Sequence, residues 1–66
     1  MSTSDSLFRA GYAYAGTLCL DKLPLRLLIE TLDAYKELAV ESQSEYYHGM
    51  AKWMEEEVLR REVVAA

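Results

Sequence analysis

Residues 25–58 read LRLLIETLDAYKELAVESQSEYYHGMAKWMEEEV, and this stretch decides the fold. At about 100° per residue its apolar side chains stay within one arc, which is typical of one long amphipathic helix or of two helices in register. A helix of that length cannot be buried by the rest of the chain, so the pattern predicts a partner. The apolar stripe consists of Leu25, Leu28, Ile29, Leu32, Tyr35, Ala39, Tyr46, Tyr47, Met50, Trp53, Met54 and Val58.

The segment ahead of this stretch predicts a shorter helix over about residues 5–20. It is rich in small residues, and each glycine costs a helix about 1 kcal/mol relative to alanine. We therefore expect another helix to approach its backbone closely. A strand is the alternative, because apolar and small residues alternate there, but no second strand is available for pairing. A break at 21–24 follows, and Pro24 suits the first turn of the next helix.

The end of the second helix is open between two interpretations. Ser42 and Glu45 have capping-box spacing, which would start a further helix. The stripe nevertheless keeps its phase, and no glycine or proline follows Pro24 before position 49. We favour one helix over about 24–61, on the order of 55 Å long, with a break near 41–44 as the alternative.

A second apolar line, which we call the apolar seam, lies opposite the stripe in the first half of this helix. It consists of Leu27, Thr31, Ala34 and Leu38, spaced as in a heptad. A helix that is apolar on two sides needs two neighbours, so we expect the first helix on one side and another chain on the other. Residues 1–66 are thus predicted to form one all-α domain, a helical hairpin that dimerises into an antiparallel four-helix-bundle-like assembly.

Charge and composition limit the class of partner. The chain is 52% hydrophobic and carries a net charge of −4, with its basic residues scattered. Phosphate backbones and anionic membranes repel such a chain, so nucleic acid and membranes are not expected as partners. An acidic row on the long helix is either a solvated face or a surface for a basic protein; it consists of Glu30, Asp33, Glu37 and Glu41.

The second half of the stripe has the composition of a protein–protein contact. Aromatic residues and methionine are enriched in the cores of such interfaces. We expect these side chains, together with Leu27 and Leu38 of the seam, to form either a homodimer core or the binding face for a different protein. They are Tyr46, Tyr47, Met50, Trp53 and Met54.

The residue types that support catalysis are sparse. The single histidine and the single cysteine are far apart, and no phosphate-binding loop or nucleophile motif is present. We therefore expect no enzyme activity and no cofactor. Glu45 and His48 form half of a di-iron motif, so a metal-binding helical bundle is an alternative, but we expect both on the surface and assign no metal ligand.

The lone Cys19 is expected to be a small core residue of a protein in a reducing compartment. The first residues lack the basic region of a signal peptide, and the longest uncharged run is too short to span a bilayer. A cytoplasmic location is therefore expected.

Together these observations predict a small acidic, non-enzymatic protein that binds another protein and modulates it, as an inhibitor or adaptor of the kind found among phage and mobile-element regulators. The alternative is a helix-turn-helix DNA-binding regulator, which only the break at 21–24 supports. Its recognition helix would carry acids where base-reading side chains are needed.

Overall fold

Three α-helices and one short 3-10 helix make up the chain in the computed structural model. The structure describes residues 3–65, and the side chains of residues 5–62. Helix α1 spans Thr3–Gly16, α2 spans Leu25–Ser42 and α3 spans Glu45–Ala65, with the 3-10 helix at Leu20–Lys22. No strand occurs within the described residues. The all-α prediction is confirmed, and the strand alternative for the first segment is wrong.

The apolar stripe is divided at Gln43, where the chain turns back on itself. Gln43 has φ 52° and ψ 38°, the left-handed conformation that commonly follows the last residue of a helix. The continuous helix that we favoured over 24–61 is therefore not formed, and the alternative break near 41–44 is present. Because the turn brings the two halves of the stripe face to face, a long helix with an unburied side does not arise.

The two serines at this turn have different roles. The hydroxyl of Ser42 donates to the carbonyl of Leu38 at 2.5 Å, within α2. The carbonyl of Ser44 accepts from the N–H of His48 at 3.2 Å, which is the hydrogen bond that opens α3. Glu45 is the first residue of α3. The capping-box spacing thus located the new helix, although Ser42 does not begin it.

The core is the apolar stripe folded onto itself. Leu28 and Leu32 of α2 lie in one buried cluster with Met50 and Met54 of α3, and α1 contributes Ala15. Burying these side chains supplies most of the stabilisation available to so short a chain. One copy buries most of the stripe and leaves Leu25 and Ile29 exposed at 39% and 38%, so the stripe by itself does not require another chain.

Helix α1 packs against α3 through two glycines. A Cβ on Gly11 would lie 1.9 Å from the carbonyl oxygen of Tyr46, and one on Gly49 would lie 2.0 Å from that of Phe8. Only hydrogen fits at such distances, so the small residues permit contact between the two backbones. The expected close approach is confirmed, but the neighbour is α3. Helix α1 was expected on one apolar side of the long helix, and its main packing is on α3, the second part of that stretch.

The connection between α1 and α2 is longer than the predicted break at 21–24, and it contains the 3-10 helix. Helix α1 ends at Gly16, earlier than position 20, and Cys19 takes a left-handed conformation with φ 56° before the 3-10 helix. The thiol of Cys19 is exposed. The expectation of a buried cysteine is wrong because the helix ends before the apolar run that contains it.

Arg61 of α3 holds this connection in place. Its guanidinium donates to the carbonyls of Leu20 at 3.0 Å, Asp21 at 2.8 Å and Leu23. It also donates to Glu57 at 3.2 Å, the pair that the i,i+4 spacing predicts. One charged side chain thus fixes the end of the 3-10 helix and the start of α2 against α3.

Candidate protein-binding surface

The methionines and the tryptophan expected to bind a partner lie inside one copy of the chain. Met50 and Met54 are 2% and 0% exposed, so neither reaches the surface in this fold. Trp53 is half-buried, with its indole nitrogen 3.3 Å from the Cβ position of Gly16 and the guanidinium of Arg60 5.7 Å from its ring. The expectation that the two methionines anchor a partner is corrected, because they pack in the core between α2 and α3. For Trp53, which packs against α1 and is only half-buried, a partner contact stays a prediction.

The two adjacent tyrosines expected at the interface take part in a row of rings across all three helices. Tyr14 lies 6.2 Å from Tyr46, Tyr46 lies 6.1 Å from Tyr47, and Tyr47 lies 5.7 Å from Tyr35. Such tilted and edge-on contacts stabilise packed aromatic pairs. Tyr46 and Tyr47 are half-buried, so their main use is within the fold.

The apolar seam of α2 is at the surface. Leu27 is 45% exposed and Leu38 is 42% exposed, and Ala34 between them is exposed as well. Thr31 is half-buried, and its hydroxyl donates to the carbonyl of Leu27 at 2.8 Å. The seam therefore presents mainly apolar atoms to its surroundings, and the neighbour that the heptad spacing predicted for it is not supplied by the described residues of one copy.

The acidic row lies beside the seam on the same helix. Glu30, Asp33, Glu37 and Glu41 are all exposed. Among the described residues, none of the four is hydrogen-bonded or ion-paired with another side chain. Like charges at this spacing repel by a few tenths of a kcal/mol each, so the row does not stabilise α2.

The opposite flank of α2 is also apolar, and the sequence reasoning missed part of it. Val40 is 71% exposed and Ile29 is 38% exposed. Ile29 was predicted to belong to the apolar stripe. It lies at the edge of the stripe, where a small rotation of the helix decides whether a side chain is buried. Val40 was not considered, although its spacing of three helical turns from Ile29 could have indicated a shared flank.

An open pocket of about 400 Å³ lies on the side of α3 where Phe8, His48 and Ala51 meet charged side chains. Two lysines and two glutamates line it: Lys36 and Lys52 lie 3.5 Å and 3.7 Å from the carboxylate of Glu55, and Glu45 is the second acid. His48 is exposed, as expected, whereas Glu45, which was also expected on the surface, is half-buried. The nearby ammonium groups disfavour a bound cation, so the half di-iron motif gains no support from its surroundings.

The shifted pKa values are explained by ion pairs within α3 and by one hydrogen bond between α1 and α3. The guanidinium of Arg60 donates to Glu57 at 2.6 Å and, with the hydrogen bond from Arg61, lowers the pKa of that carboxyl below its usual value. The phenol of Tyr12 donates to the carboxylate of Glu56, which raises the pKa of the tyrosine. Each group has a structural partner that accounts for its shift, so these shifts do not by themselves indicate a catalytic site.

No helix within the described residues is long and apolar enough to cross a membrane. Comparison with protein-family models, curated proteins and solved structures gives no match for this chain. The function must therefore be argued from the chain's own surface, and the outer side of α2 is its most distinctive part.

Proposed function

We propose that the protein is a non-enzymatic binding protein, an inhibitor or adaptor that docks on another protein and modulates it. The observation that carries this proposal is the outer side of α2. There the exposed seam and the acidic row stand next to each other, while the other side of the same helix is buried in the core.

The spacing of the exposed apolar residues supports a binding role. Scattered apolar side chains are normal on protein surfaces, but the exposed Leu27, Ala34 and Leu38, with the half-buried Thr31 among them, form a line of about 16 Å along the helix. Contiguous exposed apolar surface marks interaction sites in soluble proteins. The adjacent acids would orient the encounter and reject unsuitable partners.

The competing functions have less support. A DNA-binding role conflicts with the acidic row, which would meet phosphates on the most exposed side of α2. The homodimer was predicted from the unburied stripe and from the two apolar sides of α2. One copy buries most of the stripe, whereas the seam stays open to another chain. We propose a monomer whose seam is kept for a different protein. Cytoplasmic location and the phage or mobile-element class stay predictions from composition.

Affinity purification from the source cells tests this function. The double variant Leu27→Ser/Leu38→Ser removes the apolar seam, and Leu59→Ser is the matched control because Leu59 is 53% exposed on α3. We expect the unaltered protein and the control to retain the same protein in stoichiometric amount, and the double variant to lose it. Equal retention by all three, or no retention by the unaltered protein, would refute the proposal.

A further inference from the structure

We propose that the partner presents a basic amphipathic helix, which docks lengthwise on the apolar seam with its lysine or arginine side chains against Glu30 and Glu37. This inference rests on the proposed function and adds the chemistry of the partner to it.

The seam is able to form a dry helix–helix contact. Its only polar side chain is that of Thr31, whose hydroxyl already donates to the carbonyl of Leu27 at 2.8 Å. Covering the seam therefore leaves no side-chain donor without an acceptor, and avoids the main cost of burying a polar group. The threonine methyl group remains available for packing beside Ala34.

The positions of two acids define what must lie beside the seam. In the heptad, Leu27 and Ala34 are d positions and Thr31 and Leu38 are a positions. Glu30 and Glu37, each one residue before an a position, are g positions. Residues at g positions contact the flanking side chains of a docked helix and set partner choice. Both glutamates are exposed and lack an ion-pair partner among the described residues.

A second copy of this chain does not complement the seam. In an antiparallel pair of α2 helices, g positions face g positions, so Glu30 and Glu37 would meet the same carboxylates of the other copy. In a parallel pair they would face e positions, which are Leu28 and Tyr35. These two residues belong to the core of each copy and cannot neutralise a charge. Basic flanking residues remove the repulsion, so charge selects a basic helix over a second copy.

Two designed peptides of about three heptads test the chemistry directly. Both carry leucine at a and d; one has lysine and the other has glutamate at e and g, so each peptide repels its own copies. Binding to the full chain is measured by fluorescence anisotropy. We expect the lysine peptide to bind at least about tenfold more tightly than the glutamate peptide, with the ratio falling as salt rises and shortens the Debye length.

Charge-reversal variants separate a local contact from the overall charge of the protein. In Glu30→Lys/Glu37→Lys the preference should reverse toward the glutamate peptide. Asp21→Lys/Glu62→Lys changes the net charge equally at exposed positions away from the seam, and should keep the preference for lysine. Leu27→Ser/Leu38→Ser should abolish binding of both peptides.

The outcomes are distinguishable from failure of the proposed function. Equal binding of both peptides, no binding of either, or the same response from both charge-reversal variants would overturn the basic-helix inference. If affinity purification still retains a protein that depends on Leu27 and Leu38, the binding function stands while its partner has other chemistry. Dimerisation of the unaltered chain through the seam would instead show that a second copy is the occupant.

Discussion

The contact between α1 and α3 gives the sharpest prediction, because it decides whether replacing Gly49 by alanine raises or lowers the free energy of unfolding. In an unconstrained helix, Gly49→Ala stabilises by about 1 kcal/mol. In this fold the new Cβ would lie 2.0 Å from the carbonyl oxygen of Phe8 and 2.9 Å from the amide nitrogen of Tyr12, both of them backbone atoms. Ordinary contact begins at 3.4 Å, so 3.4 − 2.0 = 1.4 Å of separation is needed. Side-chain rotation cannot provide it, so α1 must move away from α3.

The cost follows from this displacement. Overpacking of a well-filled contact costs about 1–3 kcal/mol, sometimes more, and moving α1 also loosens the packing of Ala15 in the core. The higher helix propensity of alanine offsets part of this cost. We expect Gly49→Ala to lower the free energy of unfolding by about 2 kcal/mol in total. For a domain of this size that corresponds to a fall of about 8–16 °C in melting temperature.

Circular dichroism during thermal and urea unfolding measures the effect. Gly16→Ala is the matched control, because its Cβ would lie 3.3 Å from the tip of the Trp53 side chain, which can yield by a few tenths of an ångström. We expect the control to change stability by less than about 0.5 kcal/mol. A higher melting temperature for Gly49→Ala would refute the close backbone contact, since only an unconstrained helix responds in that way.

The other predictions concern single side chains and are all read from the free energy of unfolding. Arg61→Ala should cost about 2 kcal/mol, because three backbone carbonyls, two of them in partly buried hydrogen bonds, lose a charged donor, whereas Arg60→Ala, on an exposed ion pair, should cost much less. Gln43→Gly should stabilise the fold by about 0.5–1 kcal/mol, because glycine adopts the left-handed conformation without strain. A lower free energy of unfolding in this variant would indicate a continuous helix instead. Trp53→Ala should lower the free energy of unfolding by about 2–3 kcal/mol, and its effect on stability should be larger than its effect on partner binding. Because its pKa is lowered in the folded protein, the stabilising contribution of Glu57 is present above its ordinary pKa of 4.5 and is lost as pH falls through the lower folded value. Glu57→Gln should therefore flatten the acid limb of the stability–pH curve, and an unchanged limb would contradict this.

Periodicity predicted most of the core, because burial depends on which side of a helix a residue occupies. Leu28, Leu32, Met50 and Met54 were all placed on one side and are all buried. The small residues of α1 predicted a close helix contact, which the two glycines make. The seam was also located correctly, because its heptad spacing does not depend on where the long stretch is interrupted.

The break at Gln43 was not the favoured prediction, because it carries a weak local signal. Glutamine is not a typical residue for the left-handed conformation, and the two helices happen to continue in the same phase. Its stabilisation comes from contacts distant in sequence, such as those between Tyr35 and Tyr47. Phase alone cannot distinguish a straight helix from a hairpin whose two arms bury the same stripe. That ambiguity also explains why the aromatic residues of α3 were first assigned to an interface.

The central claim is that one chain buries its own apolar stripe and leaves the seam exposed for another protein. Small-angle X-ray scattering tests this claim most directly. One profile gives both the mass and the radius of gyration. We predict the mass of a single chain from low to high micromolar concentration, with a radius of gyration near the Cα value of 12.0 Å. A particle of twice that mass with a long dimension of about 55 Å, as two continuous helices would form, would contradict the folded-back stripe and the free seam together.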